Sequence, residues 1–360
     1  MTSQLSAYSL ETLSESAIQL LKQLIATPSF SREEDKTAGL IEEFFKGHGI
    51  PYRRMKNNVW SHNRYFDASK PTLLLNSHHD TVKPNPSWTL NPFFPLERDG
   101  RLYGLGSNDA GGCLVALLAA FRYFYDKPGM AYNIVMAATA EEEISGRDGL
   151  EFILPELPKI SFAIVGEPTQ MHLAVAEKGL IVLDCTVRGK SGHAAREEGD
   201  NAIYKAIKDI EWIRSQPFPK VSPTLGPVKM SVTVIDAGSQ HNVVPDTCTY
   251  TVDVRATEQY TLEEIVEFIQ KHVQAEVKPR SIRLKPSAIP MDHPIVLAGL
   301  ELGRQTYGSP TTSDQALLNC PSLKCGPGHS ERSHTADEFI YLREIEQGIE
   351  LYIRMLEQVL

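Results

Sequence analysis

Apolar residues recur at helical spacing early in the chain. Ala17, Ile18, Leu21, Leu24 and Ile25 share one face, and Pro28 follows. The pattern predicts an amphipathic helix ending before the proline. Ser31, with Glu34 three residues on, has the form of a capping box. Leu40, Ile41, Phe44 and Phe45 behind it predict a second helix, stopped by Gly47 and Gly49. Then the pattern changes. Leu73-Leu74-Leu75 is a compact apolar run, typical of a strand buried on both faces. Residues 133–139 and 162–165 form two more such runs. Between them a Gly/Asn/Asp-rich loop, 104–112, leads into a helix over 113–125. Strands alternating with helices predict an α/β fold, a mostly parallel sheet with helices on both faces.

Near Gly179 the pattern switches to strict alternation. Strands are predicted over 180–188, 228–235 and 247–255, with an extended stretch over 282–289. Helices are predicted over 201–215 and 261–277, the second opened by Thr261 as cap with Glu264 at its third position. The order β-α-β-β-α-β is ferredoxin-like. This reads as a separate domain over 179–289, inserted into a first domain made of 1–178 and 290–360. The chain closes on an amphipathic helix, 342–360.

Composition narrows the function. The 360 residues suit about two domains, and 42% hydrophobic content excludes intrinsic disorder. A net charge of −9 without a Lys/Arg block argues against nucleic acid or an anionic membrane as partner. No apolar run is long enough to span a bilayer. Residues 1–11 are polar and show no secretory pattern. The five cysteines are odd in number and scattered, and read as free thiols. The expected setting is the cytoplasm.

Polar residues cluster where the apolar runs stop. Leu73–Leu75 runs into Asn76-Ser77-His78-His79-Asp80, residues 134–139 into Glu141-Glu142-Glu143, and 162–165 into Gly166-Glu167-Pro168. Ligands of open α/β sheets bind beyond the carboxyl ends of the strands, so these groups should converge on one crevice. Asp109 joins from the glycine-rich loop, and His329 and His334 from the segment 326–338. Converging carboxylates repel and take up protons unless a cation neutralises them. Imidazole and carboxylate ligands without cysteine fit Zn²⁺, Co²⁺ or Mn²⁺ in a catalytic site. Two such ions sharing a bridging carboxylate form the usual two-metal hydrolase design. Competing readings are His79 as the ligand in place of His78, and a one-residue slip that gives Glu141 and Glu142 the roles of Glu142 and Glu143. His329 reads as a loop residue. The G-x-G at Gly104 has no P-loop lysine after it, and neither G-x-S-x-G nor H-E-x-x-H occurs.

Five ordered segments carry a family resemblance. They are Ser77-His78-His79-Asp80-Thr81-Val82, Leu102 to Asp109 (matching Y-G-R-G-x-x-D apart from Leu105), Ala138 to Glu143, Gly166-Glu167-Pro168-Thr169, and Gly326-Pro327-Gly328 through Ser333-His334-Thr335-Ala336-Asp337-Glu338. Together they resemble the M20 family of co-catalytic metallohydrolases, which includes acetylornithine deacetylase, succinyl-diaminopimelate desuccinylase and the carboxypeptidase G type.

The resemblance implies roles. His78 and Glu167 would hold one divalent metal, Glu143 and His334 the other, and Asp109 would bridge them. The ions would be Zn²⁺, with Co²⁺ as a substitute. Asp80 would fix the tautomer of His78, and Glu142 would be the general base. In the insert, Gly189 to Ala195 resembles the segment whose histidine, here His193, helps stabilise the oxyanion, typically in a partner subunit. Asn242 and Arg255 fall in segments that contact the substrate carboxylate. The insert would be a lid and the surface of a homodimer. The peptide after Asp109 is expected to be cis. Two departures stand out: Ala110-Gly111-Gly112 lacks the family's lysine after the aspartate, and Arg196-Glu197 replaces S-x-P after the lid histidine. The activity implied is removal of an acetyl or succinyl group from an amino acid, N-acylornithine or N-acylcitrulline in arginine biosynthesis first. Succinyl-diaminopimelate desuccinylase, N-acetyllysine deacetylase and dipeptidase are alternatives within the family. A non-catalytic relative that only binds acyl amino acids or peptides is the alternative of another class.

Overall fold

The computed structural model describes residues 9–215 and 218–360, so most of the polar stretch 1–11 lies outside the described residues. The chain divides into two units. One runs to Val175 and resumes over Ala288–Tyr307 and Ser313–Leu360; the other comprises Ala176–Ser287 and Gly308–Thr312.

The first unit is built on a sheet whose neighbouring strands run Arg53–Met55, Asn58–His62, Asn133–Thr139, Thr72–His78, Ile160–Val165, Ser322–Lys324 and Leu173–Glu177. The middle four are parallel to one another. The flanking strands are antiparallel. The architecture is the α/β layering that the alternating pattern predicts. The apolar runs show why both faces are covered. Leu73, Leu75, Ile134, Met136, Phe162 and Ile164 point into the larger core, which holds helices Leu10–Ile25, Asp35–Gly47, Gly112–Phe124 and Leu342–Glu357. Leu74, Val135, Ala137 and Ala163 point the other way, against Trp60, Leu150 and Ile153. Side chains alternate along a strand, so a run apolar at every position needs two cores. Helix Gly112–Phe124 is buried at all but two positions, Arg122 and Tyr123, as a helix apolar all round must be.

The second unit has the sheet order Lys229–Ala237, Thr247–Ala256, Gly179–Arg188, Glu276–Pro279, every pair antiparallel. With helices Ala202–Ser215 and Leu262–Gln270 the chain order is β-α-β-β-α-β. Ile181, Leu183, Cys185 and Val187 alternate inward to make its separate core.

Three local expectations are corrected. Ser31 does not cap the second helix: its hydroxyl donates to Asp80 at 2.7 Å, and the N-cap position falls to Glu34 with no side-chain cap bond. The helix from Thr261 keeps its capping box but stops at Gln270 rather than 277. Asp209, on the other helix, accepts from the backbone N–H of Gln274 (2.9 Å) and Ala275 (3.0 Å), which pulls the chain out of helical register. The last strand therefore lies at Glu276–Pro279, ahead of the expected 282–289, where only Ser287–Ala288 is strand.

Candidate metal centre

Three neighbouring parallel strands end at the same edge of the sheet. Thr72–His78 ends on His78, with Asp80 two residues on. Asn133–Thr139 continues through a left-handed Glu141 (φ 56°) into the short turn Glu142–Ile144. Ile160–Val165 leads to Glu167. Asp109 sits on the tight turn Ser107–Gly111, and the Asp109–Ala110 peptide is cis, as the resemblance implies. His334 follows the turn Ser330–Arg332 and has φ 59°.

These side chains form two groups that share one carboxylate. His78, Asp109 and Glu167 place one donor atom each within 4.8 Å of one another, and so do Asp109, Glu143 and His334. Asp109 faces both: its Oδ1 lies 3.4 Å from His78 Nε2 and its Oδ2 3.6 Å from His334 Nε2. Glu167 Oε1 is 3.8 Å and Glu142 Oε2 3.9 Å from His78 Nε2. His334 Nε2 meets Glu143 Oε2 at 2.9 Å.

The donor set fits divalent cations on two observations. His78 Nε2 is buried and has no hydrogen-bond partner, although oxygens surround it. An orphaned buried nitrogen is rare without an ion to satisfy it. Second, burial and the crowd of neighbouring carboxylates push Glu142 well above the usual carboxylate range and Glu167 up to about 8, although His78 pulls both down. A cation between these groups would displace the protons they retain. Two imidazoles and three carboxylates with no thiolate suit Zn²⁺ or Co²⁺.

His79, the rival to His78, has both ring nitrogens engaged, Nδ1 with Thr37 Oγ1 at 2.9 Å and Nε2 with Asn57 O at 2.8 Å. Glu141 turns away to Asp148 N, at 3.4 Å. His329 caps its own turn by accepting from Glu331 N at 3.2 Å. Asp80 does more than face His78. His78 Nδ1 bonds the main-chain oxygen of Asp80 at 3.0 Å, with the carboxylate at 3.4 Å. That carboxylate accepts from the backbone N–H of Glu142 (3.1 Å) and Glu143 (3.2 Å) and from Ser31. It thereby ties two ligand-bearing strand ends together.

Asp314, which lies outside every motif, and the motif glycine Gly106 also shape the site. Asp314 is buried and accepts from Thr139 Oγ1 at 2.8 Å. Its charge adds to the pressure on Glu142. Gly106, at φ 75°, leaves no room for a Cβ, which would sit 2.6 Å from Thr81 Cγ2.

In the second unit, Gly192–His193 pairs with Val243–Val244, which brings His193 and Asn242 to neighbouring positions. Ala194 N donates to Asn242 O at 2.9 Å. Arg255 is held by Asp253, Nε to Oδ1 at 2.8 Å and Nη2 to Oδ2 at 3.0 Å, and its Nη1 donates to Thr312.

The chain is similar to characterised proteins over nearly all its length. The model of peptidase family M20/M25/M40 matches residues 74–358. Acetylornithine deacetylase of Proteus mirabilis (strain HI4320) is 30% identical, covering 94% of this chain and 96% of that one. Succinyl-diaminopimelate desuccinylase 2 of Ruegeria sp. (strain TM1040) is 25% identical, covering 94% of each. Among solved structures, an M20 family metallo-carboxypeptidase from Sulfolobus solfataricus superposes with a TM-score of 0.77 at 18% identity, covering 95% of this chain and 99% of that one. Among the described residues no helix is long and apolar enough to cross a membrane. A family model that spans most of the chain, with these relatives and this fold, makes the chain a member of peptidase family M20/M25/M40.

Proposed function

We propose that this chain is a two-metal amidohydrolase that removes an N-acyl group from an amino acid in the cytoplasm, with N-acylornithine or N-acylcitrulline of arginine biosynthesis as first candidates. One observation carries the reading: two ligand groups share Asp109, with the orphaned Nε2 of His78 in one of them. Ions held by His78, Asp109 and Glu167 and by Asp109, Glu143 and His334 would polarise the amide carbonyl and acidify the attacking water. Glu142 reaches into the same space without belonging to either group. It takes a proton from that water and passes it to the leaving amine. Asp80 holds the backbone of Glu142 and Glu143 in place. His193 steadies the oxyanion. Arg255 and Asn242 take the substrate carboxylate. Asp253 occupies the Nε/Nη2 edge of Arg255 and Thr312 accepts one N–H of Nη1, so the carboxylate would take the remaining N–H of Nη1 or displace Thr312. The second unit is a lid and a dimerisation surface. Exposed Val234 and Ile235 on its edge strand Lys229–Ala237, and exposed Tyr204, support the latter.

The desuccinylase relative favours a second reading, in which the substrate is succinyl-diaminopimelate. Amine release from matched N-acetyl and N-succinyl forms of ornithine, citrulline, lysine and diaminopimelate, with Zn²⁺ or Co²⁺, separates the two. A preference above about 100-fold in kcat/KM, roughly 2.7 kcal/mol, names the substrate. Glu142→Gln should lower kcat by about 10²–10⁴ while bound metal stays unchanged. Metal-loaded protein inactive on all eight compounds would move the reading to peptides.

A further inference from the structure

Glu338 lies outside both ligand groups, yet it is buried and its side chain is spent wholly on the loop that bears Asp109. Its Oε1 accepts from the backbone N–H of Asn108 at 2.7 Å and of Asp109 at 2.9 Å. Its Oε2 accepts from Gly106 N at 3.1 Å, and its main-chain oxygen accepts from Gly104 N at 3.0 Å. Four donors of one short loop therefore converge on one residue more than two hundred positions away. The same segment supplies His334, four residues earlier, and Asp337, whose carboxylate accepts from the N–H of Thr89 and Leu90, each at 2.9 Å.

We infer that Glu338 is a positioning residue: it sets where the Asp109 carboxylate stands between His78 and His334, and so sets how both metals are held. The inference rests on the two-metal reading above. The physical reason is the direction of the bonds. A carboxylate presents only acceptors, and three N–H groups aimed at it fix the loop's path from Gly106 to Asp109. Asp109 Oδ1 lies 3.4 Å from the His78 imidazole and its Oδ2 3.6 Å from that of His334, so each oxygen serves one ligand group. A small rotation of the Asp109 backbone would bring one oxygen closer to one ligand group and take the other away. Glu338→Gln keeps the size of the side chain but turns an NH₂ group toward N–H donors. The loop must then shift.

The test uses full-length protein loaded with Co²⁺. Stoichiometry and affinity are followed by metal analysis and titration, geometry by the visible absorption of the bound Co²⁺, and folding by thermal melting. Glu338→Gln should fold, bind Co²⁺ roughly 10–100-fold more weakly, and show an altered Co²⁺ spectrum. Its kcat should fall further than its KM changes. Glu338→Asp, which keeps the charge but reaches less far, should recover part of the affinity and spectrum, and serves as the test if the glutamine variant does not fold. A variant that melts earlier but binds Co²⁺ with wild-type affinity and spectrum overturns the inference and leaves Glu338 a purely structural residue. Wild-type protein that takes up at most one Co²⁺ per chain overturns the two-metal reading itself, and this inference with it.

Discussion

Glu167 shows how one buried group links chemistry to stability. Burial raises its pKa from the usual 4.5 to about 8, Asp109 adds to the rise, and His78 opposes it. The folded metal-free chain therefore holds this proton more tightly than the unfolded chain. A raised carboxylate pKa gives stability that is complete below the unfolded value and is lost as pH climbs toward the folded one. Protein stripped with EDTA should thus melt at progressively lower temperature between about pH 5 and about pH 8. Added Zn²⁺ should raise the melting temperature more at the alkaline end, where it need not compete with protons. Glu167→Gln should flatten part of the slope. Melting curves across the pH series check this, and identical slopes for the variant and wild type would refute it. The position of Glu167 is legible in the amino-acid pattern, because a polar residue follows a buried strand directly. Its proton affinity is not, since that depends on Asp109, 58 positions earlier, and on the water excluded around both.

Elements hold the site through buried polar bonds between strand ends. Thr139 ends one central strand, and Asn76 lies two residues before His78 on the next. Asp314, from the turn Asp314–Leu317, accepts from Thr139 Oγ1, and the Asn76 amide nitrogen donates to it at 3.2 Å. Thr139→Val keeps the shape of the side chain but takes a donor from a buried carboxylate. The expected loss is about 1–3 kcal/mol, the cost of leaving such a group unsatisfied. Urea unfolding measures it, and a loss below about 0.5 kcal/mol would show that the bond does not matter. Element type was readable from periodicity here, whereas element ends were less so. Val273 and Val277 prolong the apolar pattern of the helix from Thr261, yet Asp209 captures the N–H groups of Gln274 and Ala275 and ends it. The residue pair Ser31 and Glu34 has the form of a cap. Ser31 bonds Asp80 instead, and Glu34 accepts from Arg32 N, Glu141 N and Asn57.

For the whole molecule, the core of the second unit is separate from the two that flank the first unit's sheet, so each unit buries its own apolar surface. The proposed metals involve only the first. The proposed dimer involves only the second. Ile235 and Val234 stand 53% and 59% exposed on an edge strand, where unpaired backbone groups form a template for a second copy. Ile235→Asp should convert a dimer into a monomer in light scattering after gel filtration, with the thermal stability of the monomer little changed. If His193 serves the partner's site, kcat should fall with the loss of dimer while the metal content of each chain stays the same. Wild type that runs as a monomer at all concentrations would remove the dimer from the reading.

The order of strands and helices, the α/β layering and the short motifs at the strand ends follow from periodicities of two and 3.6 residues. These are local properties of the chain, and packing preserves them because each element must bury its own apolar face. The motifs could be read for the same reason: a ligand at the end of a buried strand is one or two residues from the pattern that marks the strand. The partners of the buried polar groups follow no such period. Glu338 meets residues 106–109, Asp337 meets 89–90, Ser31 meets Asp80, Asp209 meets 274–275 and Asp314 meets Thr139. Any buried donor or acceptor must find a partner, but which one it finds depends on what the folded chain brings within about 3 Å.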